Sequence, residues 1–314
     1  MKSTVCITGS TGFVGRHLVE FLAERSEYKL LLPVRDMGFT CPSLGIYTVF
    51  PELSNITTDY FSEYNCDVVI HLAARAHIAQ DASINSLQDF RKINCDLTLD
   101  LAEKAAAAGA KRFIFLSSIG VNGVSSVSPF KVSDVPAPVE HYAISKLEAE
   151  IGLFEIAART GMDVVIIRPP LVYGPNAPGN FGKLTKAVNS GLPLPFGAIN
   201  NQRSMISLCN LTDLIVRCMD DVQAGNQIFL VSDGQDVSIT QLLEMMIKAS
   251  GKRTTLLPIP IKLLRFLGKI TGKRSAIDRL CGNLQVDIEH TKNTLGWKPL
   301  VSVQDAINKC FIKE

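Results

Sequence analysis

Hydrophobic and polar positions alternate between two spacings along this chain. Val5, Cys6 and Ile7 form a short apolar run that stops at Thr8, the pattern of a strand buried on both faces. Val14, Leu18, Phe21 and Leu22 then recur at helical spacing, and Lys29 to Val34 is again a compact apolar run. The alternation continues with strands over Ile46 to Phe50 and Cys66 to Leu72, and a helix over Leu97 to Ala108 that Gly109 stops. A strand over Phe113 to Ser117, a helix over Ser145 to Arg159 and a strand over Asp163 to Arg168 follow, the last ended by Pro169-Pro170. Strands alternating with helices predict an α/β fold with a doubly wound parallel sheet, covered on both faces, and ligands at the carboxyl ends of its strands.

The texture changes at Pro169, where prolines and glycines become frequent. We therefore expect a main domain over 1–168 and a smaller C-terminal lobe over 169–314. Within it, 203–232 should rejoin the main sheet through a helix over Leu211 to Asp221 and a strand over Ile228 to Val231. Ile259 to Ile270, with Lys262, Arg265 and Lys269 among Leu and Phe, is a basic amphipathic stretch. It reads as a helix packed on the smaller lobe, with peripheral membrane contact as the other reading.

Composition narrows the classes. With 46% hydrophobic and 20% charged residues the 314-residue chain can bury a sizeable core. A formal net charge of +2 gives no global drive towards nucleic acid or an anionic surface, so an anionic ligand must meet local charge. The eight cysteines form no Cys-x-x-Cys pair, which suits reduced thiols in the cytoplasm and speaks against a zinc site or a disulfide framework. The chain opens directly on a strand, leaving no room for a signal peptide, and no apolar run reaches the ~18 residues of a membrane span.

Chemistry concentrates in two places. After the first strand comes Gly9-Ser10-Thr11-Gly12-Phe13-Val14-Gly15. A glycine turn running into a helix lets the backbone approach a phosphate while the first free N–H groups point at it, so a dinucleotide is the expected guest. Further on, Tyr142 and Lys146 stand four apart at the head of a helix and share one face. A neighbouring ammonium favours the phenolate, so Lys146 is expected to bring Tyr142 towards the range useful for proton transfer. Ser117 and Ser118 close the preceding strand, where a hydroxyl can hold a substrate oxygen.

Together the glycine motif, Ser118 and Tyr142-Ala-Ile-Ser-Lys146 resemble the extended short-chain dehydrogenase/reductase family, and within it the nucleotide-sugar epimerases, dehydratases and ketoreductases. The similarity extends to His71-Leu-Ala-Ala74, Asn94, Arg168-Pro-Pro-Leu-Val-Tyr-Gly-Pro175, Arg203 before Ile206-Ser-Leu-Cys-Asn210, and Leu295-Gly-Trp-Lys-Pro299. It implies a Rossmann domain with Ser118 on the reacting oxygen, Tyr142 as general acid/base, and Lys146 on the nicotinamide ribose. It further implies that the cofactor lies along Gly9, Thr11, Gly12, Phe13, Val14, Gly15, Arg35, Glu52, Leu53, Leu72, Ala73, Ala74, Asn94 and Pro169. Glu52-Leu53 then falls beside the adenine. His77, Asn180, Phe181 and Arg203 would contact a UDP-sugar, with Arg203 at the diphosphate, and a homodimer is expected.

Departures from the family refine the reaction. Ile119 and Gly120 stand where dehydratases carry an Asp-Glu pair, which leaves nothing to protonate a departing hydroxyl. Asn122 replaces a tyrosine and is expected to alter the surroundings of the sugar, while Ser207 and Asn210 replace a histidine and an aspartate. Val34-Arg35-Asp36 at the end of the second strand offers both an acid for the 2′-hydroxyl of NAD and an arginine for the 2′-phosphate of NADP. Arg35 comes first, in a Val-Arg-Asp order that resembles NADPH-using ketoreductases of the family, so NADP(H) is expected over NAD(H). The reading that follows is a UDP-4-keto-6-deoxy-N-acetylhexosamine 4-reductase of surface-polysaccharide (O-antigen) synthesis. A UDP-GlcNAc or UDP-glucose 4-epimerase is the alternative, and a cofactor-sensing regulator without the reaction is the contrasting class.

Overall fold

In the computed structural model, residues 2–38, 41–75, 87–272 and 274–312 are described. Seven strands form one parallel sheet: β1 (Ser3–Thr8), β2 (Tyr28–Val34), β3 (Ile46–Val49), β4 (Val68–His71), β5 (Arg112–Leu116), β6 (Asp163–Arg168) and, far along the chain, β9 (Gln227–Leu230). Their spatial order is β3-β2-β1-β4-β5-β6-β9, and all pairs are parallel. A two-stranded parallel sheet of β7 (Leu171–Tyr173) and β8 (Met205–Ser207) stands apart. The helices are α1 (Phe13–Ala23), α2 (Thr58–Glu63), α3 (Leu87–Arg91), α4 (Leu97–Ala107), α5 (His141–Thr160) and α6 (Gly179–Asn189) in the first part. Then come α7 (Leu208–Asp220), α8 (Ile239–Ser250), α9 (Ile261–Ile270), α10 (Arg274–Cys281), α11 (Glu289–Leu295) and α12 (Val303–Lys309).

Side chains alternate across the sheet as the two-residue strand period requires. Val5, Ile7, Ile114, Val165 and Ile167 pack on one face with Leu18 and Leu22 of α1 and Leu211, Leu214 and Ile215 of α7. Cys6, Phe113, Phe115, Val164 and Ile166 pack on the other with Leu101 and Ala105 of α4 and Ala149, Leu153 and Ile156 of α5. Apolar residues on both faces explain the unbroken runs in the sequence. A third cluster, with Tyr173, Phe181, Met205, Leu243, Met246 and Ile307, forms the core of the later part of the chain.

The order reverses between β1 and β4, since β1 is followed by β2 on one side and neighboured by β4 on the other. Such a switch point opens a crevice at the carboxyl ends of the strands. Two helix boundaries differ from the sequence pattern and both bear on that crevice. α5 begins at His141, a full turn before Ser145, so Tyr142 lies in its first turn. The helical path into α4 begins at Leu87 and passes through a wide π-type turn over Lys92–Asp96.

Candidate active site

The glycine turn leaves β1 at Thr8 with Gly9 at φ +73, a backbone conformation that side chains disfavour. A Cβ on Gly9 would lie 2.7 Å from the Ala73 nitrogen, and one on Gly15 only 2.1 Å from the Gly9 carbonyl oxygen. The turn is thus pressed against α1 on one side and the segment after β4 on the other. Gly12 caps α1 without a side chain, leaving the first amides of the helix for an anion. Within the same turn the buried Ser10 hydroxyl has no hydrogen-bond partner among the described residues. A turn this tight, with the free amides of a helix at its head, fits a pyrophosphate.

Leu72, Ala73 and Ala74 form the opposite wall. Leu72 N–H donates to the Thr8 carbonyl. Asn94, in the wide turn before α4, holds the next residue from both sides: its Oδ1 accepts from Arg75 N–H at 2.8 Å and its Nδ2 donates to the Arg75 carbonyl at 3.1 Å. Its Nδ2 also donates to Ser145 on α5. Asn94 therefore fixes the wall and ties it to the helix that carries Tyr142. His71, the last residue of β4, is buried between Thr8 Oγ1 (2.7 Å) and Thr98 Oγ1 (3.1 Å) and stacks on Phe115.

Ser118 follows β5 and accepts from Gly120 N–H at 3.1 Å, remaining half-buried. Its neighbour Ser117 is buried and donates to Glu150 at 2.5 Å, so Ser118 is the hydroxyl of the pair left for a ligand. Tyr142 stands edge-on to Phe90 with ring centroids 6.5 Å apart. Lys146 is 1% exposed; its ammonium donates to the Leu116 carbonyl at 2.9 Å, lies 4.1 Å from the Phe115 ring centre and 6.0 Å from that of Tyr142. Burial pushes the Tyr142 phenol up to about 12 and brings the Lys146 ammonium down to about 7. The protein groups alone thus move Tyr142 opposite to the sequence expectation. The physical reason is desolvation of both partners, with the ammonium directed to a carbonyl and a ring face. Pro169 is buried, and its carbonyl accepts from Ile119 N–H, the residue after Ser118.

Other expected residues fall as follows. Arg35 is exposed immediately beyond β2, and Asp36 accepts from Gly38 N–H at 2.9 Å. Glu52 is exposed past β3 and accepts from Ser54, while Leu53 packs against the second core cluster. Arg203 Nη1 donates to the carbonyls of Arg279 (2.9 Å) and Gly282 (3.0 Å), and burial lowers its pKa. Asn180 is exposed in the first turn of α6. Phe181 corrects the expectation of a sugar contact: its ring is 1% exposed and packs on Tyr173, 5.2 Å centre to centre, so it serves the third core. His77 lies outside the described residues.

Asn122 requires a second correction. It is buried, and its Oδ1 accepts from Arg168 Nη1 at 3.0 Å, so it completes an internal polar cluster. Ser207 caps α7, and Asn210 is buried, donating to Asp233 at 2.7 Å and accepting from Leu300 and Val301 N–H. Asp233 also accepts from Tyr173 at 2.7 Å. These residues clamp the later part of the chain together. The sequence reading passed over Glu150, Asn94's double grip on Arg75 and the Arg279–Glu140 ion pair (2.8 Å) at the head of α5. Only the i, i+4, i+8 series Tyr142, Lys146, Glu150 could have signalled the first.

This constellation at the switch point of a doubly wound sheet is that of a short-chain dehydrogenase/reductase. The model of the NAD dependent epimerase/dehydratase family matches residues 5–232, and the chain belongs to that family. It is an NAD(P)-dependent sugar-nucleotide epimerase or reductase. It is similar to the UDP-glucose 4-epimerase of Vibrio cholerae, 44% identical over 313 residues that cover 98% of this chain and 94% of that one. Its fold matches the UDP-glucose 4-epimerase of Thermotoga maritima solved with UDP-glucose, at TM-score 0.79 and 23% identity, covering 98% and 97% of the two chains. It also matches the UDP-glucuronic acid 4-epimerase of Bacillus cereus solved with NAD, at TM-score 0.78 and 21% identity, covering 98% and 97%.

Proposed function

We propose that this protein is a 4-epimerase of a UDP-hexose that works with retained NAD. The observation that carries the reading is its 44% identity, over nearly the full length of both chains, to the UDP-glucose 4-epimerase of Vibrio cholerae. That likeness favours the epimerase over the 4-reductase expected from the sequence. The NADP(H) preference read from Arg35 finds no support in a family of NAD-dependent enzymes.

Bound NAD supplies a place for the hydride of C4 between oxidation and return. The chain's own groups do the rest. Tyr142 takes the proton of the C4 hydroxyl and gives it back, and Ser118 holds the same oxygen in line. The amides at the head of α1 receive the pyrophosphate. Lys146, on the same face of α5 one turn further on, supplies positive charge beside the phenol when protonated and holds the helix to the end of β5 through Leu116.

Incubation of purified protein with UDP-glucose, and separately with UDP-GlcNAc, without added cofactor should yield the corresponding galacto sugar. Absence of conversion, together with stoichiometric NADPH consumption on a UDP-4-keto-6-deoxy-N-acetylhexosamine, would return the assignment to the reductase.

A further inference from the structure

α9 is held to the protein by a narrow strip. Leu264 is 4% exposed, and Gly268 lets Ile277 of α10 approach so closely that a Cβ there would stand 2.5 Å from Ile277 Cδ1. Arg265 Nε bonds Asp278 at 2.8 Å from the same neighbour. Ile261 packs on the third core at the start of the helix, and the side chains between and beyond these contacts face outward. Leu263, Phe266, Leu267 and Ile270 are 46%, 59%, 47% and 67% exposed. Their spacing of three and four places them in one stripe, an arrangement that costs solubility unless something covers it.

Charge around the stripe names the cover. Lys262 and Lys269, both exposed, lie along one edge of it. Between Glu244 and Asp278 the chain carries eight Lys or Arg and no acidic residue, in a protein whose whole formal charge is only +2. A second copy meeting this patch through a two-fold axis would set like charge against like. A bilayer with anionic headgroups accepts both features, the apolar stripe entering the headgroup boundary and the cations meeting phosphates. We propose that α9 docks this protein on the surface of an anionic phospholipid bilayer.

The docking face lies one helix from the cleft. α10, which packs on α9, carries Arg279, and Arg279 pairs with Glu140 immediately before the turn that holds Tyr142. The docked protein would thus present its substrate cleft close to the membrane plane. Among the described residues no helix is long and apolar enough to cross a membrane, so the contact is with the surface.

Sedimentation with vesicles of phosphatidylglycerol and phosphatidylcholine in equal parts, against pure phosphatidylcholine, tests this. The full chain should bind the anionic vesicles, release at high salt, and bind the neutral ones about tenfold or more weakly. Phe266→Ser with Leu267→Ser, and separately Lys262→Glu with Lys269→Glu, should each lower anionic-vesicle binding about tenfold or more while leaving the melting temperature unchanged. No binding to anionic vesicles, equal binding to both compositions, or binding that survives both double variants would overturn the proposal. So would a dimer in sedimentation velocity that Phe266→Ser with Leu267→Ser dissociates without any vesicle binding, which assigns the stripe to a second copy.

Discussion

Glu150 stands one helical turn beyond Lys146 on α5 and grips Arg168 of β6 through Nε and Nη2, the two side chains being 2% and 3% exposed. The same carboxylate accepts from Ser117 at the end of β5, and Arg168 donates onward to Asn122. One buried ion pair therefore joins the helix that carries Tyr142 and Lys146 to the two strands whose ends carry Ser118 and Pro169. Removing one member leaves an uncompensated buried charge, at a cost of about 3–5 kcal/mol. Arg168→Met should lower stability by about that much in urea titrations. Adding Glu150→Leu to it should recover most of the loss. A single variant as stable as the parent would show that the pair carries no such strain on removal.

Gly15→Ala tests the glycine cradle. Its methyl would fall 2.1 Å from the Gly9 carbonyl oxygen and 2.8 Å from Gly9 C and Ser10 Cα, all rigid backbone, so the turn or α1 must shift. Because the same shift displaces the amides that receive the pyrophosphate, the variant should copurify with little or no NAD, measured by releasing the nucleotide in acid. Full NAD content in Gly15→Ala would remove the turn from the cofactor site.

Much of this architecture was legible because strands buried on both faces leave unbroken apolar runs such as Val5–Ile7 and Val164–Ile167. What escaped did so for identifiable reasons. The start of α5 was hidden because Glu140 caps it without a side-chain bond, offering none of the Ser, Thr, Asp or Asn signals of a helix N-terminus. The wide turn at Lys92–Asp96 inserts one residue into a helix without any break in its pattern, so the double grip of Asn94 on Arg75 depends on geometry that no periodicity carries. Asn122 and Phe181 occupy positions that resembled sugar contacts. Yet Arg168 and Tyr173, their neighbours only in three dimensions, draw them into the interior. Glu150 carries no signal of its own in the helix pattern, because its partners Ser117 and Arg168 meet it only where β5 and β6 end beside α5.

Tyr142→Phe removes the transferable proton and little else, since the ring keeps its place against Phe90. Turnover should fall about a hundredfold or more while NAD content stays that of the parent. Activity within a few-fold of the parent would end the assignment of Tyr142 as acid/base. Loss of NAD together with activity would instead make it a binding residue.

His71 makes stability depend on acid in a way that can be isolated. Thr98 Oγ1 donates to the Asn94 carbonyl at 2.8 Å, so towards His71 Nε2 it accepts, which places the ring proton on Nε2 and leaves Nδ1 to accept from Thr8. The ring is thus held neutral. Burial, with the Lys146 ammonium nearby, brings its pKa from 6.5 down to about 3. In the unfolded chain the imidazole charges near 6.5, so above that pH the two states bind the same number of protons and the full stability is present. As pH falls from 6.5 towards 3 the unfolded state binds a proton that the folded state refuses, and stability drops, by up to about 1.4 kcal/mol per pH unit. His71→Gln keeps a donor and an acceptor but has no charge to gain. Urea midpoints should therefore descend more steeply with acid in the parent than in the variant, with the two curves separating below pH 6.5. The parent and His71→Gln descending in parallel would show that His71 does not titrate differently on folding.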